Sequence, residues 1–126
     1  MAVLAVKRLP PWDDTRMSEH YTFFTDLAAE AAPVGRGIHS QTLSKADGVE
    51  VVLFTLAAGE ELSEHTSARP AIVHVLRGTG RLVVAGDEHA IAPGAWVRMP
   101  ARTQHAIVAE SELVFALYLL PRAEPA

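Results

Sequence analysis

Turn signals cut the middle of this chain into short pieces. Asp47-Gly48, Ala58-Gly59, Arg77-Gly78, Gly86-Asp87 and Pro93-Gly94 follow one another at short intervals, with apolar or β-branched runs between them. Residues 49–57 (VEVVLFTLA) are the most β-branched run and are expected to form a buried strand. Residues 71–76 (AIVHVL), 81–85, 88–92, 96–99, 105–109 and 112–120 are further strand candidates. Residues 38–46 (IHSQTLSKA) alternate weakly and suit an edge strand. Asp-Gly between two strand-like runs is a hairpin signal, because both residues tolerate the positive φ of a tight turn. Short strands at a spacing of roughly 8–12 residues, broken by Gly and Pro, predict an all-β antiparallel sandwich or barrel. Helical pattern is confined to residues 26–32 (DLAAEAA), which are rich in Ala and ended by Pro33.

Composition narrows what such a fold can do. The chain has 126 residues, enough for one domain with a core and too few for two. At 49% hydrophobic residues it is not a disordered chain. Eleven basic against 15 acidic residues give a net charge of −4, which argues against a nucleic-acid surface. The absence of cysteine excludes thiolate chemistry, disulfides and sulfur-ligated metals. The N-terminal sequence MAVLAVKRLPPW places its positive charges after a short apolar run, the reverse of a secretory signal. No apolar run approaches the ~20 residues of a membrane helix. A soluble cytoplasmic protein with no membrane or nucleic-acid partner is therefore expected. Its organisation is read as an N-terminal extension with a short helix (1–37), a barrel (38–120) and a polar tail (121–126).

Two units of similar design carry the chemistry. Residues 59–78 (GEELSEHTSARPAIVHVLRG) run from a Gly turn through a polar loop with His65 into an apolar strand. Residues 93–105 (PGAWVRMPARTQH) run from a turn through a short strand and a second polar loop to His105. A histidine in a loop beside a strand, twice, points to a site at the mouth of a barrel. Neutral imidazole is a common ligand for zinc, copper, iron and nickel. Ser67, two residues beyond His65, shares its face in an extended backbone and suits hydrogen bonding to a substrate. Arg69 continues that parity; facing inward it would attract an anionic ligand such as a carboxylate, and otherwise it is a solvated loop residue. If Ala71, Val73 and Val75 point inward, His74 points away. A bulge at Pro70 would reverse this and complete a set of His65, His74 and His105. His20, His39 and His89 read as surface residues, and Glu60, Glu61 and Glu64 as solvated loop charges. Phe54, Trp96, Phe115 and Tyr118 read as core candidates.

These residues, from about 49 to 119, resemble the cupin superfamily, the small RmlC-like barrels built as a double-stranded β-helix or jelly roll. The family's first pattern runs Gly, His-x-His, Glu, Gly. Gly59, His65 and Gly78 fit it, while Ser67 stands at the second His and Ala71 at the Glu. The second pattern runs Gly, Pro-x-Gly, His, Asn. Gly86, Pro93-Gly94 and Pro100 follow its turns and His105 falls at its last His, with Ala109 at the Asn. HTSARPAIVHVLRG also looks like a subgroup of small bacterial cupins. The resemblance implies a divalent metal, Zn, Ni, Fe or Mn, of whose four ligand positions this chain keeps His65 and His105.

Three functions stay open on this reading. One is a small-molecule-binding barrel whose metal site is degenerate, with His65, Ser67, Arg69 and His105 toward the ligand. Another is a metal-dependent enzyme of dioxygenase or isomerase type, with His65, His105 and a third ligand such as His74. A general-base enzyme using His65 or His105 is a variant of it. The last is a structural or dimerisation module. The resemblance implies a homodimer, and apolar residues on both faces of AIVHVL and LVFALYLL call for cover on both sides, from a partner or from the N-terminal segment.

Overall fold

The computed structural model describes residues 21–122. Among them are nine strands: β1 (Ile38–Ala46), β2 (Val49–Leu56), β3 (Glu61–His65), β4 (Ala71–Arg77), β5 (Gly80–Val84), β6 (Asp87–Ile91), β7 (Trp96–Met99), β8 (His105–Ala109) and β9 (Leu113–Leu119). They form a five-stranded sheet, β1-β2-β9-β4-β7, and a four-stranded sheet, β3-β8-β5-β6. Each pairing is antiparallel. The chain passes repeatedly from one sheet to the other, as a jelly roll does. Residues 1–20 of the N-terminal extension, with His20, and residues 123–126 of the tail lie outside the described residues.

Alternation decides which side chains fill the space between the sheets. Ala71, Val73 and Val75 on β4 are buried while Ile72, His74 and Leu76 are half-buried. The inward set meets Leu82, Ile91 and Ile107 of the opposite sheet and Leu56, Leu113 and Phe115 of its own. Phe54 and Phe115, directly opposite on β2 and β9, stack with ring centroids 5.0 Å apart. A stacked aromatic pair at this spacing adds to the burial that closes the barrel.

β9 lies at the centre of its sheet, and Leu113, Val114, Phe115 and Ala116 are all buried. Its outer face needs cover. Leu53, Val114 and Ala116 form a second apolar cluster there, packed against Leu27, Ala31, Leu43, Leu76 and Tyr118. Leu27 and Ala31 belong to the N-terminal segment, so the chain itself supplies part of that cover. The expected helix is a single 3-10 turn, Leu27–Glu30, capped by Asp26, whose side chain accepts from the Ala28 N–H at 3.1 Å. Docking rather than helix propensity decides its length: Gln41 Nε2 donates to the Glu30 carbonyl and Arg77 Nη2 to that of Ala28. No helix among the described residues is long and apolar enough to cross a membrane.

One strand stands where the sequence predicts a polar loop. Residues 61–65 are mostly polar and mostly exposed, yet they form β3 at the edge of the four-stranded sheet. Backbone pairing with β8 holds them extended, with Glu61 opposite Val108 and Leu62 opposite Ile107. An edge strand with one face in solvent carries few apolar residues, so composition does not reveal it. The hairpin at Asp47-Gly48 is as expected, with φ of 55° and 79°, the two positive values of a type I′ turn.

Gly78 meets a stricter demand. Its φ is +86°, and a Cβ there would lie 2.0 Å from the Glu112 carbonyl oxygen. Gly94 has φ +97° but open space around it. Gly78→Ala is expected to cost on the order of 3 kcal/mol, from strain and backbone clash together, and Gly94→Ala about 1 kcal/mol from strain alone. Urea unfolding of both variants checks the order; equal losses would mean that the close approach is relieved without cost.

Candidate functional site

His65 ends β3 and His105 begins β8, and the two are direct cross-strand partners. Their ring centroids are 4.2 Å apart, with the planes inclined at 56°. His105 shares its parity with the buried Ile107 and Ala109, which turns it toward the barrel interior; it is 6% exposed, whereas His65 is exposed. Each ring is held in the same way. His65 Nδ1 donates to the Ser63 carbonyl at 2.8 Å, and His105 Nδ1 to the Thr103 carbonyl at 3.0 Å. A carbonyl only accepts, so both rings carry their proton on Nδ1 when neutral and keep a lone pair on Nε2. Neither Nε2 has a protein partner among the described residues, and no buried side-chain nitrogen or oxygen there lacks one. The two acceptors therefore open on accessible space.

Burial lowers the His105 pKa from the usual imidazole value; the bond to Thr103 acts in the opposite direction and the charge of His65 adds to the lowering. The neutral, acceptor form is thus favoured.

The other predicted site residues are not brought to this pair. Ser67 Oγ accepts from the Arg69 N–H at 3.1 Å, and the Ser67 carbonyl accepts from the Arg102 N–H at 2.7 Å. Ser67 thus ties together the two loops that carry the histidines. Arg69 is neither inward-facing nor free. Its Nε donates to the Leu120 carbonyl (2.9 Å) and its Nη2 to the carbonyls of Leu119 (3.0 Å) and Gly48 (2.5 Å), while Nη1 lies 3.4 Å from a Glu50 carboxylate oxygen. The guanidinium fork fits because the end of β9 and the β1–β2 turn present carbonyls side by side within its reach. His74 pairs with Ala116 and Trp96 in register, and Ala116 belongs to the outer cluster. The register is regular from Ala71 through His74, the one shift in β4 falling between Val75 and Arg77, and His74 lies on the face of the sheet opposite to the histidine pair.

Two imidazoles are then what a metal would find. Among the described residues no three His, Cys, Asp or Glu side chains come close enough to hold one ion. Zinc-type sites take at least three protein ligands, so this donor set does not fit a resident metal. Ala71, at the family's Glu position, is 2% exposed and is part of the apolar core.

His89 is exposed, as expected of a surface residue, and it also borders a cavity. It pairs with the buried Leu82 across β5 and β6, and it lines a space of about 380 Å³ with Val73, Val75, Leu82, Ile91 and Trp96. The signal was its period-two relation to Ile91, which shares its face. Trp96, expected in the core, is 60% exposed.

Two predictions follow from these placements. Because the folded His105 pKa is lowered, its contribution to stability is complete above the unfolded imidazole value of about 6.5 and is lost as pH falls through the folded value. The urea midpoint should drop on acidification from about pH 7.5 to pH 5, and His105→Gln should flatten the drop; an unchanged profile in the variant would assign the effect elsewhere. Arg69→Ala should cost on the order of 2–3 kcal/mol, with little recovered by Lys, which lacks the fork. Thermal or urea unfolding measures both.

A family model described as a cupin domain matches residues 52–120. No curated protein matches the chain in sequence. Among solved structures, a conserved protein of unknown function from Streptococcus pyogenes is similar at 24% identity, over 82% of this chain and 91% of its own, with a TM-score of 0.71. An RmlC-like cupin protein from Desulfovibrio desulfuricans is similar at 24% identity, over 82% of this chain and all of its own (100%), with a TM-score of 0.70. Salicylate 1,2-dioxygenase from Pseudoaminobacter salicylatoxidans is similar at 16% identity, over 73% of this chain and 27% of its own, with a TM-score of 0.62. At these identities the likeness is one of fold.

Proposed function

The chain belongs to the cupin family, and on that premise we propose that it binds a small, partly apolar molecule in the barrel, with Nε2 of His65 and Nε2 of His105 accepting hydrogen bonds from it. The observation that carries this reading is the cross-strand histidine pair, each ring fixed through Nδ1 to a backbone carbonyl so that both free lone pairs belong to adjacent rings. Burial keeps His105 neutral and able to accept. Apolar Ala71 at the family's Glu position favours a drier interior. Ser67 and Arg69 hold the loops in this reading and do not touch the ligand.

A metal-dependent enzyme of the dioxygenase or isomerase type is the second reading. One observation favours it: imidazoles anchored by Nδ1–H to a carbonyl are oriented as metal-ligating imidazoles are. Among the described residues it lacks a third protein ligand.

Metal content and ligand-induced stabilisation separate the two. Protein purified without a polyhistidine tag is expected to carry less than about a tenth of an equivalent of metal; near-stoichiometric metal that His65→Ala removes would favour the second reading. In a thermal-shift screen of small acids and sugars, a true ligand at about a hundred times its Kd should raise the melting temperature by roughly 10 °C. His65→Ala and His105→Ala should abolish that shift. A ligand that stabilises both variants as well as the parent would place binding away from the histidines.

A further inference from the structure

Arg98, Arg102 and Arg122 line one concavity of about 340 Å³, with Ala68, Pro70 and Pro100 in its wall. They come from three places in the chain. Arg98 is on β7, Arg102 in the loop between β7 and β8, and Arg122 follows β9. The side chains are exposed, and among the described residues no Asp or Glu lines the concavity. Among the described residues the ion pairs are Arg69 with Glu50 and Arg81 with Glu88 and Glu110; none involves these three arginines. The chain carries 15 acidic and 11 basic residues, so three guanidinium groups gathered with no carboxylate among the described residues run against its composition. Like charges held together repel, and an anion between them removes that cost.

The backbone supports the arrangement. Arg102 has φ of 65°, a conformation uncommon outside glycine. Its N–H is bound to the Ser67 carbonyl at 2.7 Å, and the neighbouring Thr103 hydroxyl donates to the Pro100 carbonyl at 2.8 Å. The loop is thus fixed at the residue that presents the guanidinium. Strain of this kind is kept where surrounding contacts enforce it, and it recurs at ligand clamps.

Geometry also separates this concavity from the histidine pair. Arg98 lies opposite Ile72, on the outer face of the five-stranded sheet, whereas His105 faces the interior. The planar fork of arginine matches phosphate oxygens two at a time, and a concavity of this size takes a small molecule.

We propose that Arg98, Arg102 and Arg122 form a binding site for a small phosphate-bearing molecule on the outside of the barrel. Isothermal titration of the full chain with inorganic pyrophosphate, at about 150 mM salt, tests it. Saturable one-to-one binding is expected. Arg98→Gln, Arg102→Gln and Arg122→Gln should each weaken it tenfold or more, the loss associated with one charge-assisted contact. Arg98 and Arg122 have ordinary backbones, so their variants keep the test valid if Arg102→Gln disturbs the loop. Arg81→Gln removes the same charge elsewhere and should leave the affinity unchanged. Absence of saturable binding would overturn the proposal. So would equal loss in Arg81→Gln, which marks net charge alone, or citrate binding as tightly as pyrophosphate, which marks a carboxylate site.

Discussion

Phe115 stacks on Phe54 at the middle of an apolar layer shared by two sheets, and the rest of the molecule serves to close that layer. The inner faces of β4 and β9 supply most of one wall; Leu82, Ile91 and Ile107 supply the other. Burial of this kind is roughly proportional to apolar area and has no direction, so it brings the sheets together without choosing a register. Register comes from alternation and from the turns. A slip of one residue on β4 would move Val73 and Val75 to the outer face and bring His74 in.

Closing the layer brings backbone carbonyls at strand ends and turns within reach of polar side chains, and several of those side chains bond them. Arg69 satisfies the carbonyls of Gly48, Leu119 and Leu120; Gln41 and Arg77 satisfy carbonyls of the N-terminal turn. Buried or half-buried carbonyls without donors are expensive. Residues that parity alone places near a ligand are drawn into this structural use. Ser67 is the same case: its hydroxyl and its carbonyl both close loops.

What remains for chemistry is narrow. The pairing of β3 with β8 sets His65 against His105, and two short backbone bonds fix the tautomer of each ring. The family framework persists around them, while Ser67 and Ala71 occupy positions where donors would stand. An oriented pair of acceptors is a binding device; among the described residues no third protein donor stands with it to hold a metal.

The sequence by itself determined the class of fold, the hairpin at Asp47-Gly48, the inward set Ala71, Val73 and Val75, and the two histidines that meet. These follow from local rules: positive φ for a tight turn, period two for a strand, and turn spacing for an antiparallel barrel. Tertiary structure alone decided that polar residues 61–65 are a strand, that Arg69 is a clamp and that three arginines share a concavity. Each of these depends on partners far along the chain. Arg69 finds its acceptors at Gly48 and Leu120, and β3 finds its ladder at β8. A polar or charged side chain carries no periodic signal of its own destination, because its energy depends on which unmet group the fold brings within reach.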